Sequence, residues 1–205
     1  GSITLIANSV ALAGTASDLV AALGGTFASS YTGNIAIIDE GGSSVSATNL
    51  SAIGAATTGT VTVTNAVNII GDHDEVTAAL VTASTKVVVS GATVTINDAN
   101  ATAITATELS AIGAATTGTV TVTNAVTISG TTSELIDALI TSSSKVTAST
   151  SNLTISDTPS TAQLYALDDS TTGSITSGSG GGGSGGGSGN LSLIHISEPT
   201  RPNEI

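Results

Sequence analysis

Short runs of alternating apolar and polar residues recur along the chain, and each is followed by a segment with helical spacing. The clearest runs lie at residues 60–64 and 119–123, where Thr and Val alternate, and Ile35 and Ile37 show the same spacing. Alternation of β-branched residues is typical of a short strand with one buried face. The segments that follow place apolar residues three and four positions apart, which predicts amphipathic helices. One unit is therefore predicted to be strand, short helix and strand.

The predicted helix starts share a sequence signature. A Ser, Thr or Asp stands three residues before a polar or acidic residue, which is the spacing of a capping box. Asn49 departs from the preferred Glu or Gln and weakens one case. The six steps of this pattern begin at residue 15 and end at residue 160, so 145 residues in five intervals give a mean of 29. The predicted N-cap residues are Thr15, Ser46, Asp72, Thr105, Thr131 and Ser160.

An exact internal repeat organises these units. Residues 50–67 recur unchanged at 109–126, which is 59 positions later. A single unit is too small to bury its own apolar face, whereas stacked units bury a continuous core. The predicted fold is an α/β repeat solenoid over residues 1–173. It is expected to be right-handed, with about six 29-residue turns of short parallel strands plus a short helix, paired into a 59-residue double repeat.

A set of tandem small α+β domains is the alternative fold. It is less favoured because a 59-residue domain without disulfides and with few aromatic residues has a marginal core. In the solenoid, the Gly of each Thr-Thr-Gly sequence is predicted to end a helix in the left-handed conformation; these are Gly59, Gly118 and Gly173. The predicted core residues are Leu19, Leu23, Leu50, Ile53, Ile69, Leu80, Ile96, Leu109, Ile112, Ile128, Leu135, Leu139, Ile155 and Leu167.

Composition excludes several classes of protein. The chain has no Cys, so a disulfide framework and a Cys-based metal site or nucleophile are excluded. Fifteen acidic residues against three basic ones give a net charge of −12, and aromatic residues make up 1%. Such a surface is poorly suited to phosphate or to stacked bases, so we expect no nucleic-acid partner. No run of 18 apolar residues is present, so we expect no membrane span.

The densest acidic cluster invites a calcium hypothesis. It contains Asp72, Asp74 and Glu75, with His73 between them. The spacing matches neither an EF-hand loop nor a glycine-aspartate repeat. Capping of a helix and attraction to its positive N-terminal end explain the acids better, and His73 is expected to be exposed in the first helical turn. We therefore expect no metal and no cofactor, with calcium as the alternative.

Two further activities are weighed against a structural role. Outward Thr side chains at residues 60–64 and 119–123 suggest an ice-binding face, but Lys86-Val-Val-Val-Ser90 interrupts the array between them. A polysaccharide-acting enzyme needs convergent carboxylates, whereas the acids here stand mostly at helix starts. We therefore expect no catalytic residues and no enzymatic activity. Lys86 and Lys145 follow predicted helices, where a cation complements the negative helix end.

The repeat also carries a resemblance. Residues 108–123, Glu-Leu-Ser-Ala-Ile-Gly-Ala-Ala-Thr-Thr-Gly-Thr-Val-Thr-Val-Thr, and the strand ending at 153–157 resemble repeats of very large secreted or cell-surface proteins of bacteria, cyanobacterial types among them. The resemblance implies a structural spacer, surface-layer or adhesin-like role, and an extracellular or cell-surface location. It implies neighbouring repeats of a longer chain as partners, and leaves any surface ligand unidentified.

The C-terminal part departs from the repeat. Residues 174–190 have the composition of a flexible Gly/Ser-rich linker and are expected to be disordered. Residues 191–201, Leu-Ser-Leu-Ile-His-Ile-Ser-Glu-Pro-Thr-Arg, resemble the translated sequence of a sequencing adapter over eleven consecutive positions. We therefore expect residues 191–205 to be an artefactual tail that is excluded from the fold.

Overall fold

The chain adopts an α/β fold of short parallel strands and short helices. A computed structural model describes residues 8–25 and 30–177. The strands are β1 (Leu12–Gly14), β2 (Ile35–Ile37), β3 (Ser44–Ser46), β4 (Val61–Val63), β5 (Asn68–Gly71), β6 (Val87–Val89), β7 (Thr93–Ile96), β8 (Ala103–Thr105), β9 (Val120–Val122), β10 (Thr127–Gly130), β11 (Val146–Thr147), β12 (Asn152–Ile155) and β13 (Ile175–Ser177).

Six α-helices alternate with these strands in the described part of the chain. They are α1 (Ala16–Leu23), α2 (Ala47–Ala56), α3 (His73–Val76), α4 (Ala106–Ala114), α5 (Thr132–Leu139) and α6 (Thr161–Asp168). A π-helical turn (Thr77–Val81) and a 3-10 turn (Ala83–Thr85) follow α3. Consecutive helices pack side by side, from α1 against α2 to α5 against α6. The helices thus form one layer beside the strands.

The strands form three sheets in which every pairing is parallel. The first sheet has the order β1-β2-β4-β6, the central sheet β3-β5-β7-β9-β11, and the third sheet β13-β12-β10-β8. The predicted α/β class with parallel strands is therefore confirmed. The central sheet takes strands from both copies of the exact repeat, which two separate 59-residue domains would not do.

The interval between paired strands is shorter than the 29 residues predicted for one turn. Val61 pairs with Val87, 26 positions later, and Val94 pairs with Val120 at the same interval. The shortest interval, 22 positions, joins Leu153 to Ile175. The difference arises between α3 and α4, where three strands (β6, β7 and β8) stand in place of the usual two. A 59-residue copy therefore contains two strand-strand-helix passages and one additional strand.

One continuous hydrophobic cluster runs from Ala16 to Leu167. Alternation along the strands fills it, since Val61 and Val63 are buried while Thr62 between them is exposed. Leu23, Leu80 and Leu139 are half-buried and pack against the cluster. The other eleven predicted core residues are buried, namely Leu19, Leu50, Ile53, Ile69, Ile96, Leu109, Ile112, Ile128, Leu135, Ile155 and Leu167.

The six predicted N-cap residues all immediately precede a helix. Full capping boxes, with side-chain and backbone bonds in both directions, are formed at Asp72, Thr105, Thr131 and Ser160. At Thr15 the side chain accepts from the Asp18 amide. Ser46 makes no side-chain capping bond. The shorter Asn49 stands where the other boxes have Glu or Gln, so the return bond that fixes the cap is missing.

The Thr-Thr-Gly sequences bind neighbouring segments to each other. The buried Thr57 hydroxyl donates to the Gly33 carbonyl at 2.7 Å, and accepts from the Gly59 amide at 2.9 Å. A Cβ on Gly59 would overlap that same Gly33 carbonyl. Thr116 and Gly118 repeat the arrangement at Ala92, and Thr171 and Gly173 repeat it at Ser151.

The left-handed conformation predicted for these glycines is therefore wrong. Gly42 and Gly91 are the glycines of the described residues with positive φ. Gly59, Gly118 and Gly173 are required for close approach to a neighbouring backbone, which local sequence does not reveal.

The fold extends slightly beyond the predicted boundary at residue 173. Strand β13 pairs with β12 through Ser177. Residues 178–205, which hold most of the predicted linker and all of the predicted adapter-derived tail, lie outside the described residues. No helix among the described residues has the length and apolar character that a bilayer crossing requires.

Candidate functional site

Three aspartates form the most regular polar feature of the chain. Asp39, Asp98 and Asp157 stand 59 positions apart, each two residues after a buried Ile that ends a strand core. Each carboxylate accepts, at 2.8 Å, the first backbone amide of a helix that lies earlier in the chain. The donors are Ala16, His73 and Thr132. The amide of each helix start thus receives an acceptor from a segment more than 20 residues away.

These aspartates were not among the residues predicted from the sequence. A signal for them exists, since the sequence Ile-x-Asp recurs at the 59-residue interval. An aspartate after a strand is commonly a solvent-exposed turn residue. Only the pairing of the strands shows that the carboxylate reaches the helix start beside it.

His73 and Asp98 form a buried ion pair. The His73 Nδ1 lies 2.7 Å from one Asp98 carboxylate oxygen, and the His73 amide donates to the other at 2.8 Å. The exposed fraction of the side chain is 12% for His73 and 4% for Asp98. The prediction that His73 is exposed is therefore wrong. Asp98, which is 25 residues later, covers the imidazole, and no local pattern indicates that contact.

The pair sets the protonation of the imidazole. Burial, the largest single influence, lowers the pKa of His73. The hydrogen bond and charge of Asp98, with the charges of Asp74 and Glu108, outweigh it and raise the pKa of His73 above its ordinary value. At the equivalent place in the next copy, the Thr132 hydroxyl donates to Asp157 at 2.5 Å. Hydrogen bonds from the Thr132 side chain and amide lower the pKa of Asp157.

The acidic cluster considered for calcium is used for helix capping. The Asp72 carboxylate accepts from the Glu75 amide at 2.8 Å, and Glu75 accepts from the Asp72 amide at 3.2 Å. The second Glu75 oxygen accepts from the Thr48 hydroxyl at 3.0 Å. Asp74 is exposed and lies 3.5 Å from His73 Nε2. Within residues 8–25 and 30–177, no three His, Asp or Glu side chains are grouped so that they could hold a metal ion.

Hydroxyl side chains line the outer faces of two sheets. In the central sheet the pairings align Thr95, Thr121 and Thr147 on adjacent strands, all on the outer face. In the third sheet they align Thr105, Ser129, Thr154 and Thr176. The corresponding positions of the first sheet are Ala13, Ala36, Thr62 and Val88.

This placement changes the picture of the Thr-rich strands. Residues 60–64 and 119–123 are identical in sequence, yet β4 lies in the first sheet and β9 in the central sheet. The interruption expected at Lys86-Val-Val-Val-Ser90 lies beside β4 only. Thr121 has Thr on the strand to either side, so an uninterrupted Thr ladder exists where the sequence alone indicated a break.

Both lysines of the repeat occupy the turns that follow helical segments. Lys86 and Lys145 have left-handed backbone conformations, with φ of 51° and 54°. Their ammonium groups donate to the carbonyls of Ser84 and Ser143, at 3.1 and 3.4 Å. The cations therefore satisfy carbonyl groups of their own turns.

Comparison of the chain with known protein families, with curated proteins and with solved structures gives no match.

Proposed function

We propose that the chain is a right-handed solenoid that acts as a non-enzymatic structural spacer within a large extracellular or cell-surface bacterial protein of the adhesin or surface-layer type. The observation that carries the proposal is the continuous parallel register of the central sheet, which joins strands from residue 44 to residue 147 across both copies of the repeat. A strand-helix-strand connection between parallel neighbours is right-handed in nearly all proteins.

The contacts between successive turns support a load-carrying stack. One hydrophobic cluster extends through the described residues, and no helix or sheet has a separate core. Polar bonds add to it at regular places, such as Thr57 to the Gly33 carbonyl and the Ala16 amide to Asp39. In such a stack each turn is stabilised by its neighbours, and added repeats lengthen the molecule without altering its cross-section.

The surface supports a location outside the cell. Fifteen acidic and three basic residues keep the chain negatively charged, and the absence of Cys removes any dependence on redox conditions. A net charge far from zero favours solubility and opposes association. The resemblance of residues 108–123 to repeats of secreted and cell-surface bacterial proteins points in the same direction.

An internal duplication tests the proposal. A second copy of residues 50–108 inserted after residue 108 keeps the sequence at both junctions close to the natural one, because residues 50 and 109 begin the same 18-residue segment. We expect the lengthened protein to unfold in one transition, at an equal or higher denaturant midpoint. At roughly 4.8 Å per added strand in each sheet, the long dimension in small-angle scattering should grow by about 10 Å.

Two results would contradict the solenoid. One is a second unfolding transition with the original midpoint unchanged, which indicates independent domains. The other is a scattering profile that shows two compact bodies joined flexibly. Insertion of residues 174–190 at the same point is the matched control, since this Gly/Ser-rich segment adds chain but no strand-forming residues. It should lower the midpoint.

Ice binding is a second candidate function, favoured by the hydroxyl ladders. Four adjacent strands of the third sheet and three of the central sheet carry aligned Thr or Ser residues. A regular array on adjacent strands is the feature that a crystal lattice could match. Thermal hysteresis should then be measurable and should decrease in Thr121→Tyr, whereas Thr62→Tyr in the first sheet serves as control. Absence of hysteresis in the unsubstituted protein eliminates this function.

A further inference from the structure

His73 sets one repeat copy apart from the others. The three equivalent helix starts present Ala16, His73 and Thr132 to the aspartates 39, 98 and 157. Only at the middle position does a titratable side chain meet the carboxylate, through the 2.7 Å contact of Nδ1 with Asp98. Because His73 begins α3 and Asp98 follows β7, the contact joins two segments that are 25 residues apart.

Every charged group facing the imidazole is acidic. Asp98 contacts it from the segment after β7, and Asp74 contributes a carboxylate 3.5 Å from Nε2. Asp72 and Glu75 belong to the same helix start, and Glu108 acts on the ring from α4. The other elements packed against α3, which are α2, β5 and the π-helical turn, contain no charged residue. The protonated ring is therefore the only positive partner of these acids at this place in the described structure.

We propose that His73 and Asp98 form a pH-dependent clasp between consecutive turns, which is closed when the imidazole is protonated and weakened when it is neutral. The neutral ring can still donate its Nδ1–H to Asp98. It then leaves a carboxylate with 4% side-chain exposure without a counter-charge and surrounded by other acids. A buried charge without a partner is strongly destabilising.

The helix that carries the clasp is the least regular of the described helices. Helix α3 has α-helical hydrogen bonding over His73–Val76 only and continues as a π-helical turn over Thr77–Val81. The equivalent α5 is regular over Thr132–Leu139. Irregular helical hydrogen bonding lowers the cost of local opening and is frequent at functional positions. Loss of the clasp therefore acts where the stack is easiest to open.

The direction of the pH effect follows from the raised pKa of His73. A group whose pKa is raised by folding stabilises the folded state fully below its unfolded value, which is about 6.5 for His. That stabilisation is lost as the pH rises through the folded pKa. The junction is thus tightest in mildly acidic medium and loosens toward alkaline pH.

Two exchanges between the copies test the clasp in the full chain. His73→Thr installs the residue that the next copy has naturally at Thr132, and Thr132→His builds a second clasp on Asp157. Urea midpoints are measured from about pH 5 to about pH 9, the range in which His titrates. Relative to His73→Thr, the unsubstituted protein should lose midpoint as the pH rises. Thr132→His should show a larger loss over the same range.

Direct titration of the ring provides a second readout. His195→Ala removes the other histidine, so that the nuclear magnetic resonance signal of His73 is observed alone. Its midpoint should lie above that of free His, and Asp98→Asn should lower it. Identical pH profiles for the unsubstituted protein and His73→Thr would overturn the clasp, as would a His73 midpoint at or below that of free His. Both results leave the spacer role untouched, because the duplication experiment tests that role separately.

Discussion

At the scale of single residues, the two copies of the repeat provide internal comparisons. Gly42 and Ala101 are equivalent positions, 59 residues apart, and each donates its amide to an equivalent carbonyl, of Ala66 or Ala125, at 2.8 Å. Both are left-handed, with φ of 79° and 66°. This conformation suits Gly and costs an L-residue with a Cβ roughly 1–2 kcal/mol. The protein therefore carries local backbone strain at one copy and not at the other.

Replacement of Ala101 by Gly should stabilise the protein. Relief of the left-handed Ala outweighs the greater flexibility of Gly in the unfolded chain, and the expected net gain in unfolding free energy is about 0.5–1 kcal/mol. The reverse exchange, Gly42→Ala, should lose a similar amount, although open space surrounds Gly42. Urea denaturation checks both variants. If Ala101→Gly is destabilising, backbone strain does not govern this turn.

Ser151 offers a second comparison between equivalent positions. Its hydroxyl is buried without a hydrogen-bond partner, while its carbonyl accepts from Thr171 at 2.6 Å. The equivalent residue beside Thr116 is Ala92, which has no hydroxyl to satisfy. An unsatisfied buried hydroxyl costs about 1–3 kcal/mol.

Ser151→Ala should therefore raise the unfolding free energy by about 1 kcal/mol. The matched variant, Ala92→Ser, should lower it, since it places a hydroxyl in the same surroundings. Thermal and chemical denaturation report both changes. A loss of stability in Ser151→Ala would mean that the hydroxyl is satisfied in solution.

At the scale of elements, the helix starts explain how such short helices are maintained. Helices of eight to ten residues, as α1, α2, α5 and α6 are, would be marginal in isolation. The capping side chain satisfies one orphan amide, and at alternate helices an aspartate from a neighbouring segment satisfies another. At the Thr105 cap, hydrogen bonds from the Thr105 amide and hydroxyl lower the pKa of the Glu108 carboxyl. Packing of one helix on the next then supplies the remaining stability.

Removal of a capping hydroxyl should reveal which helix starts depend on it. Thr131→Ala breaks a complete capping box, and should cost about 1 kcal/mol of unfolding free energy. Ser46→Ala is the control, because Ser46 precedes α2 but forms no side-chain capping bond. Its effect should stay below about 0.5 kcal/mol, as for an ordinary exposed position. Equal losses in the two variants would show that the capping bond contributes little.

At the scale of the whole molecule, the sheets overlap like shingles along the chain. Strands β2, β4 and β6 of the first sheet have their 59-residue equivalents β7, β9 and β11 in the central sheet. Strands β3, β5 and β7 of the central sheet have theirs, β8, β10 and β12, in the third. Each copy of the repeat therefore begins a new sheet before the preceding one ends. This overlap joins the copies into one structure, since no break between sheets coincides with a break in the helix layer.

The net charge should make overall stability depend on salt. A charge of −12 repels itself more strongly in the folded rod than in the expanded unfolded chain. The screening length falls from about 30 Å at 0.01 M to about 10 Å at 0.1 M salt. The urea midpoint should therefore rise over this range of sodium chloride. Asp168→Asn combined with Asp169→Asn, which removes two exposed charges, should reduce the increase. A midpoint that falls with salt would contradict this account.

The sequence by itself determined the local elements of this protein. Alternation identified inward and outward strand residues such as Val61 and Thr62, and the capping spacing placed all six helix starts. The exact copy at residues 109–126 established the 59-residue period. These features depend on interactions over a few residues, and on a periodicity that a single chain displays directly.

Only the tertiary structure decided which segments become neighbours. Strands pair at intervals of 22 to 26 residues because an additional strand, β8, lies within the copy, and the helix period of 29 does not reveal it. The contact of Asp98 with His73 and the approach of Gly59 to Gly33 follow from that pairing. Each depends on the distance between backbones that are distant in sequence, which side-chain periodicity does not specify.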